Sequence, residues 1–430
     1  MSKPFAIFTL KTIGVLLGLA LLPVLLFRAI KGKEEPKRLG ERWGASKVAR
    51  PSGRLVWIHG ASVGESVLGL SLAAKMAEQQ PELSFLFTSG TRTSAQMLAK
   101  QMQRRQCHQY LPMDTPGATA RFIRHWRPDL AIFLESEIWP NLIFASKTAG
   151  IPLALLNARM NQASRDKWQK LPTMFSHIIG QFNWISAADT ATADFLDLYR
   201  TSKPDVPGNL KLLQPVAKQI SKAEQDLQRQ TFGRTPVWLA ASTHAGEEQI
   251  LLQVHQKILQ QHPQALLILL PRHPERGQEI ETICQQAELQ TSRWTMAQQP
   301  KGSVLIADTI GEMPLWLNLA DIVFIGGSLG AGKGHNPLEA IRAKKPVLSG
   351  THIASFAQLY AELTALDAVT LTDDQQQIGQ LILQRFANLK TENVSSKRAN
   401  DWVEAQSQAL ETAVIQPLLA LMKAGKNESA

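Results

Sequence analysis

The sequence predicts an α/β chain of two Rossmann-like domains facing each other across a cleft, behind an apolar N-terminal segment. Three observations lead there. Strand-like apolar runs alternate with amphipathic helical stretches from Arg54 to about Arg200, and a second such series starts near Pro236; this alternation builds mostly parallel sheets. Between the series lies Thr201–Asn209, rich in the Pro, Gly and Ser that join domains. At 430 residues, the chain is also long for one hydrophobic core.

The N-terminal segment comes first. Phe5 to Phe27 is apolar except for Thr9, Lys11 and Thr12. A membrane crossing needs about 20 such residues, and the segment suffices if Lys11 snorkels. Lys3 and Lys11 resemble the basic start of a cleaved signal peptide, but the segment has no small-x-small cleavage site after it. Instead the chain continues into a basic cluster of Arg28, Lys31, Lys33, Lys37, Arg38 and Arg42. Positive residues there keep the downstream chain on the cytoplasmic side and favour anionic lipid headgroups. The expectation is an uncleaved anchor over residues 1–30 with a cytoplasmic body.

The first series predicts strands at Leu55–His59, Leu83–Thr88, Leu130–Leu134, Ile151–Leu156 and Trp184–Ala187. The second predicts Val237–Ala241, Ala265–Leu270, Ser303–Ile306, Asp321–Ile325, Pro346–Leu348 and Ala368–Leu371. A final helix over Trp402–Met422 is long enough to pack back on the first domain. The expected division is therefore 1–30, 31–212, 213–401 and 402–430. Neither series carries GxGxxG or a P-loop lysine motif, which argues against dinucleotide and ATP chemistry. A net charge of +10 favours anionic partners. No basic block interleaved with aromatics points to nucleic acid. Cys107 and Cys284, the two cysteines, are far apart, which fits a reducing compartment and no thiolate metal site.

Several segments carry chemistry. After the first strand, Gly60-Ala61-Ser62-Val63-Gly64-Glu65 delivers one carboxylate to the start of a helix running over Ser66–Met76. Open α/β sheets expose reactive groups at such junctions, although the same letters fit a glutamate that simply complements the helix dipole. Glu135 and Glu137, two apart at a strand end, would share one face and repel; capping the next turn and pairing with an arginine is the competing reading. Arg159, after Asn157-Ala158, is a candidate partner for them or for a phosphate. In the second series, Ser242, Thr243 and His244 precede Glu247 and Glu248, which suits either an anion or an ordinary N-cap. Arg272, beside His273, is a candidate clamp for phosphate or carboxylate. The glycines of Gly326–Gly334 would leave backbone N–H groups open to a phosphate. Asn336, Pro337 and Glu339 then fall at N-cap, N1 and N3 of a helix, a capping box that competes with ribose binding for Glu339.

Taken together, the chain resembles the 3-deoxy-D-manno-octulosonic acid (Kdo) transferases of lipopolysaccharide assembly, glycosyltransferase family 30. The resemblance lies in HGASVGE at 59–65, ESEIWPN at 135–141, Asn157–Arg159 and GNLK at 208–211. It continues through ASTHAGEE at 241–248, PRHPE at 271–275, DTIGEM at 308–313 and GHNPLE at 334–339. It implies a GT-B architecture, with an N-terminal acceptor domain and a C-terminal CMP-Kdo domain. It further implies inverting transfer of Kdo from CMP-Kdo to a lipid A precursor (lipid IVA) at the inner membrane, without a cofactor or metal. Carried over by motif, Glu65 is the general base and Glu135 and Lys211 act on the transition state. The CMP-binding positions become Pro271, Arg272, Gly311, Glu312, Met313, Asn336, Pro337, Leu338 and Glu339. Met160, Asn161, Trp168, Leu213, Lys333 and Ser355 depart from the family pattern. A GT-B sugar-nucleotide 2-epimerase and a membrane-anchored, non-catalytic nucleotide-sugar binder are the competing functions.

Overall fold

Strands as uniformly apolar as Leu55–Ile58 and Leu130–Leu134 must be covered on both faces, and parallel sheets flanked by helices do this. In the computed structural model these strands are wholly buried in such a sheet. The structure describes residues 23, 25, 27, 28, 31–213, 220, 221, 223, 231–233, 235–296, 302–330, 332–389 and 393–427. The expected anchor lies almost wholly outside them. Among the described residues no helix is long and apolar enough to cross a membrane. The chain divides into two compact units, Met1–Gln214 with Ser407–Ala430, and Pro215–Gln406.

The first unit holds a six-stranded parallel sheet in the order β3-β2-β1-β4-β5-β6. Its strands are β1 (Leu55–His59), β2 (Ser84–Ser89), β3 (Gln106–Tyr110), β4 (Leu130–Leu134), β5 (Leu153–Ala158) and β6 (Trp184–Ala187). The order reverses between β1 and β4, whose register runs from Val56↔Leu130 to His59↔Phe133. Ligands of open α/β sheets bind beyond the carboxyl ends of strands at such a reversal. Trp57 fills the core beneath, with ring centroids 4.9 Å from Phe122 and 5.1 Å from Phe133.

The second unit holds seven parallel strands in the order β13-β12-β11-β7-β8-β10-β9. They are β7 (Val237–Thr243), β8 (Leu266–Pro271), β9 (Thr291–Arg293), β10 (Val304–Ile306), β11 (Ile322–Ile325), β12 (Val347–Ser349) and β13 (Val369–Leu371). Here the order reverses between β7 and β11. Trp238 is fully buried, its indole N–H donating to His255 Nδ1 at 3.1 Å.

Two strands escape the hydropathy reading, β3 and β9, and both are sheet edges. An edge strand has one strand neighbour, so its sequence need not be apolar throughout. β3 reads Gln-Cys-His-Gln-Tyr because a 3-10 helix, Pro36–Trp43, covers its free side. There Arg38 Nη2 donates to the His108 carbonyl at 3.1 Å, and the Tyr110 N–H donates to Glu41 Oε2 at 2.7 Å.

The stretch expected to join the domains also carries an edge contact of the first sheet. Asp205 bridges to Ser186 in parallel; its N–H donates to the Ile185 carbonyl at 3.2 Å and its carbonyl accepts from Ala187 N–H at 2.7 Å. The Trp184 indole fixes the Asp205 carboxylate at 2.7 Å. The last helix runs over Val394–Asn427, longer than predicted and with Pro417 inside it. Within the first unit, Ser407 Oγ of this helix donates to the Leu212 carbonyl at 3.0 Å, and Glu411 pairs with Lys75 at 3.2 Å.

Gly44 closes the 3-10 helix at φ +76°, where a Cβ would lie 2.1 Å from the Ala118 carbonyl oxygen. Gly53, at φ +80°, has open space around it. Gly44→Ala is therefore expected to destabilise the first unit by about 2–4 kcal/mol, overpacking added to left-handed strain. Gly53→Ala should cost about 1–2 kcal/mol, from strain alone. Urea unfolding of the two variants checks the difference, and equal losses would contradict it.

Candidate active site

Beyond β1 the chain must turn sharply, and Gly60 permits it: a Cβ there would meet Glu65 Cβ at 2.7 Å. Ser62 is the N-cap of the helix Val63–Gln79. Its Oγ accepts from Glu65 N–H at 3.2 Å and donates to Glu65 Oε1 at 2.7 Å. Ala61 N–H donates to Glu65 Oε2 at 2.7 Å. This is a variant of the capping box, with the backbone donor one residue before the N-cap, and it holds both carboxylate oxygens; Glu65 is 8% exposed. The Ser-x-x-Glu spacing was the sequence signal for it. Capping and a place in the reaction are thus compatible for Glu65, since each oxygen keeps a free lone pair.

Glu135 comes directly after β4, in the left-handed region at φ +56°. Its N–H donates to the Leu156 carbonyl at 2.8 Å, and Asn157 Nδ2 donates to its Oε1 at 3.3 Å. Burial first, and then the charge of Glu65, raise its carboxyl above the usual range; Arg159, Lys211 and the Asn157 bond oppose them. Lys211 lies in the short 3-10 helix Leu210–Leu213. Burial, then Arg159, lower its ammonium, with Glu135 opposing. The first unit therefore brings Glu65, Glu135, Lys211 and Arg159 into one electrostatic cluster at the β1/β4 reversal.

Glu137 does not join that cluster. The expectation of two glutamates sharing one strand face fails because β4 ends at Leu134 and Glu135 turns the chain. Glu137 Oε2 instead accepts from His59 Nε2 at 3.0 Å and from Trp139 Nε1 at 2.7 Å.

In the second unit, Pro271 ends β8 and the N–H of Arg272 donates to the Thr243 carbonyl at 3.0 Å, leaving the exposed Arg272 side chain beyond the strand ends. His244 and His335 stack with ring centroids 5.0 Å apart, and their Nε2 atoms are 2.8 Å apart. Burial first, then His244 and Arg272, lower His335 to about 4. Gly311, at φ +88°, precedes Glu312, the N-cap of the helix Met313–Leu319.

Two readings of the glycine-rich loop are corrected. At its start the N–H groups are not open: Gly327, Ser328 and Leu329 donate to the Glu247 carboxylate at 2.7, 2.9 and 2.8 Å. His244 N–H adds a fourth bond at 2.9 Å, and Glu247 is 2% exposed. A buried carboxylate of the chain itself fills the anion nest. The expected helix starts one residue later than predicted, with half of the capping box in place. The helix Leu338–Arg342 takes Pro337 as N-cap, whose own side chain caps nothing. Asn336 Oδ1 accepts from Leu338 N–H at 3.1 Å, the side-chain cap the spacing predicts, and Glu339 is exposed. Among the described residues, no group of three or more His, Cys, Asp or Glu could hold a metal ion.

The model of the N-terminal domain of 3-deoxy-D-manno-octulosonic-acid transferases (kdotransferases) matches residues 37–214. The 3-deoxy-D-manno-octulosonic acid transferase of Haemophilus influenzae is 32% identical over 346 residues, 79% of this chain and 81% of that protein. Its counterpart in Bordetella pertussis is 30% identical over 386 residues, 87% and 89% of the two chains. The chain belongs to the Kdo transferase family. Among solved structures, a glycosyltransferase from Rickettsia africae covers 87% of the chain and 100% of its own length, with TM-score 0.56 and 12% identity. That likeness is one of fold, GT-B-like, and it agrees with two parallel α/β sheets in a Kdo transferase. The chain is accordingly a glycosyltransferase.

The raised carboxyl of Glu135 makes a stability prediction with a definite sign. A carboxyl whose folded pKa exceeds its unfolded value opposes folding fully above the folded pKa and not at all below the unfolded one. Glu135→Gln should therefore raise the melting temperature most at neutral pH. The gain should shrink as pH falls through the raised pKa towards the ordinary 4.5. Melting curves of wild type and variant across that range check it; a gain that grows in acid would contradict it.

Proposed function

We propose that the chain transfers Kdo from CMP-Kdo to a lipid A precursor (lipid IVA), with inversion at the anomeric carbon, on the cytoplasmic face of the inner membrane. The observation that carries this reading is the meeting of Glu65, Glu135, Lys211 and Arg159 at the reversal of the first sheet, in a member of the Kdo transferase family. The first unit takes the acceptor and the second the nucleotide. An acceptor hydroxyl gives its proton to a free lone pair of Glu65 as its oxygen bonds the anomeric carbon. The bond from that carbon to the CMP phosphate breaks, and CMP leaves with the electron pair.

Each charged residue has a part in that step. The capping bonds from Ala61 and Ser62 fix Glu65 before the substrate arrives, so little reorganisation accompanies proton transfer. Lys211 balances charge building on the departing phosphate, and Glu135, held against it, supports the cationic character of the reacting sugar carbon. In the second unit the CMP-binding positions are Pro271, Arg272, Gly311–Met313 and Asn336–Glu339. With Glu247 filling the glycine loop, Arg272 becomes the principal phosphate donor group. The apolar stretch Phe5–Phe27 and the basic residues from Arg28 to Arg42 support the membrane placement.

The test is purified protein with freshly generated CMP-Kdo and tetraacylated lipid A precursor, with products read by mass spectrometry. One or more Kdo additions are expected. Glu65→Gln keeps an oxygen for the cap but loses the base, and should lower kcat by about a hundred- to ten-thousand-fold with CMP binding retained. No transfer by the wild type would end the reading, and wild-type turnover in Glu65→Gln would remove the base assignment.

A further inference from the structure

The family resemblance gives no role to Glu137 or His59, yet together they form a buried polar chain under the reactive loops. His59 is the last residue of β1 and fully buried. Its Nδ1 faces Thr88 on β2, 3.1 Å from the carbonyl and 3.0 Å from Oγ1, and Thr88 Oγ1 also accepts from Trp57 Nε1 at 2.9 Å. On the other side, Glu137 accepts from Trp139 and from His59 Nε2. Burial pushes the Glu137 carboxyl up, but the bond and charge of His59, with Trp139, outweigh it and hold it below the usual range. Glu137 is therefore an acceptor and His59 Nε2 carries the proton between them. The chain of bonds runs from β2, across β1, to the loop after β4.

That loop needs a restraint. Backbone pairing of β1 with β4 stops at His59↔Phe133, short of both reactive glutamates. Glu65 and Glu135 repel: after burial, the charge of Glu65 is what raises the Glu135 carboxyl. Glu135 also sits at φ +56°, a conformation that persists only where the surroundings impose it. Glu135 N–H on Leu156 and Asn141 on Asp114 hold this loop to β5 and to Asp114, but not to residues 59–65. Repulsion and backbone strain would both relax by moving it away from those residues. Among the described residues, the His59–Glu137 bond is the one hydrogen bond joining residues 59–65 to residues 135–141.

We propose that His59 and Glu137 are positioning residues that set the separation of Glu65 and Glu135 against their mutual repulsion. The inference rests on the catalytic roles proposed for those two carboxylates. Glu137 touches neither substrate nor reacting atoms; it acts through Glu135, two residues before it, and His59 acts through the turn that leads to Glu65.

The test uses the full chain and three variants. Glu137→Ala removes the tie. His59→Asn is too short to reach Glu137 but keeps a polar group facing Thr88. Glu137→Gln keeps a carbonyl acceptor. Displacing a reacting group by about 1 Å costs on the order of a hundredfold. Both severing variants should thus lower kcat for Kdo transfer by about 10- to 100-fold, with the KM for CMP-Kdo within about twofold of wild type. Glu137→Gln should recover kcat to within about fivefold of wild type, and the double variant Glu137→Ala with His59→Asn should lose no more than either alone. In parallel, the carboxyl carbon of Glu135, followed by NMR in protein labelled at glutamate, should titrate closer to 4.5 in the severed variants because Glu65 has moved off.

If Glu137→Ala does not fold, His59→Asn against Glu137→Gln carries the same expectations. Wild-type kcat in a folded severed variant, additive losses in the double variant, or an unmoved Glu135 titration would each overturn the proposal. A wild type that transfers no Kdo would end the functional reading instead. The Glu135 titration would still decide whether the tie sets the spacing.

Discussion

Glu65 and Glu135 repel each other, and the carboxyl end of the first sheet is organised around keeping them together. Parallel pairing of β1 and β4 brings the starts of the two loops side by side, and the loops that follow carry the two charges. Several groups compensate. Two donors hold Glu65, Asn157 donates to Glu135, and Lys211 and Arg159 supply opposite charge. Partial burial makes each of these count for more than it would in water, and makes the repulsion count for more as well. The lowered ammonium of Lys211 shows the same squeeze from the cationic side. Such a site is a local cost to stability that the buried core beneath it must carry, with Trp57, Phe122 and Phe133 packed below.

The second unit solves a similar problem with the opposite sign. A glycine-rich turn at the β7/β11 reversal presents several N–H groups to one point, and Glu247 occupies that point. Four charge-assisted bonds to one buried carboxylate are strong enough to offset its desolvation. Residues 327–329 of the loop are thus tied down by the chain itself. Under the proposed function, recognition of the nucleotide phosphate then falls to exposed side chains such as Arg272. Glu248, next in sequence, is also buried and is neutralised by Arg276 at 2.7 Å. The two adjacent glutamates therefore do separate structural work, one holding a loop and the other pinning the start of the helix after β8.

Hydropathy and residue type made the central strands legible: β1, β4 and β6 have the predicted bounds because each is flanked by clear turn residues. The same reading passed over β3 and β9, whose letters are polar because one side is covered by other structure or left open. Asp205 shows the converse error. Its Pro- and Gly-rich neighbours read as a linker, yet a single residue in that stretch pairs with the edge of β6. The electrostatic coupling of Glu65, Glu135 and Lys211 could be expected from their motifs, but the destination of Glu137 could not. A two-residue spacing fixes a shared face only while the strand continues, and one left-handed residue is enough to end it. Glu247 was hidden for a different reason. An acidic residue in the first turn of a helix reads as a dipole partner, and only the fold reveals that a loop some eighty residues later wraps around it.

The left-handed residues separate strain that any fold would carry from strain that serves this site. Arg127, Glu288, Lys344 and Asp367 have positive φ at or just past helix ends, where that conformation is the ordinary way to stop a helix. Arg105 lies in the turn before β3. Glu135, Asn157 and Ser242 are different, because they lie at the carboxyl ends of β4, β5 and β7, where extended backbone is the default. Two of them coincide with register shifts, β5 against β6 between Leu155 and Ala158, and β7 against β8 between Ala241 and Thr243. Irregularities of this kind turn a side chain away from the sheet's alternating pattern. Here they aim Glu135 and the amide that binds it, and they lead into the His244 turn that Glu247 anchors. Each costs on the order of 1–3 kcal/mol, and each lies at the carboxyl end of a parallel sheet, the end at which open α/β sheets generally take ligands. A regular strand end would relieve that strain and at the same time return these side chains to the alternating faces of the sheet, away from the charges they now meet.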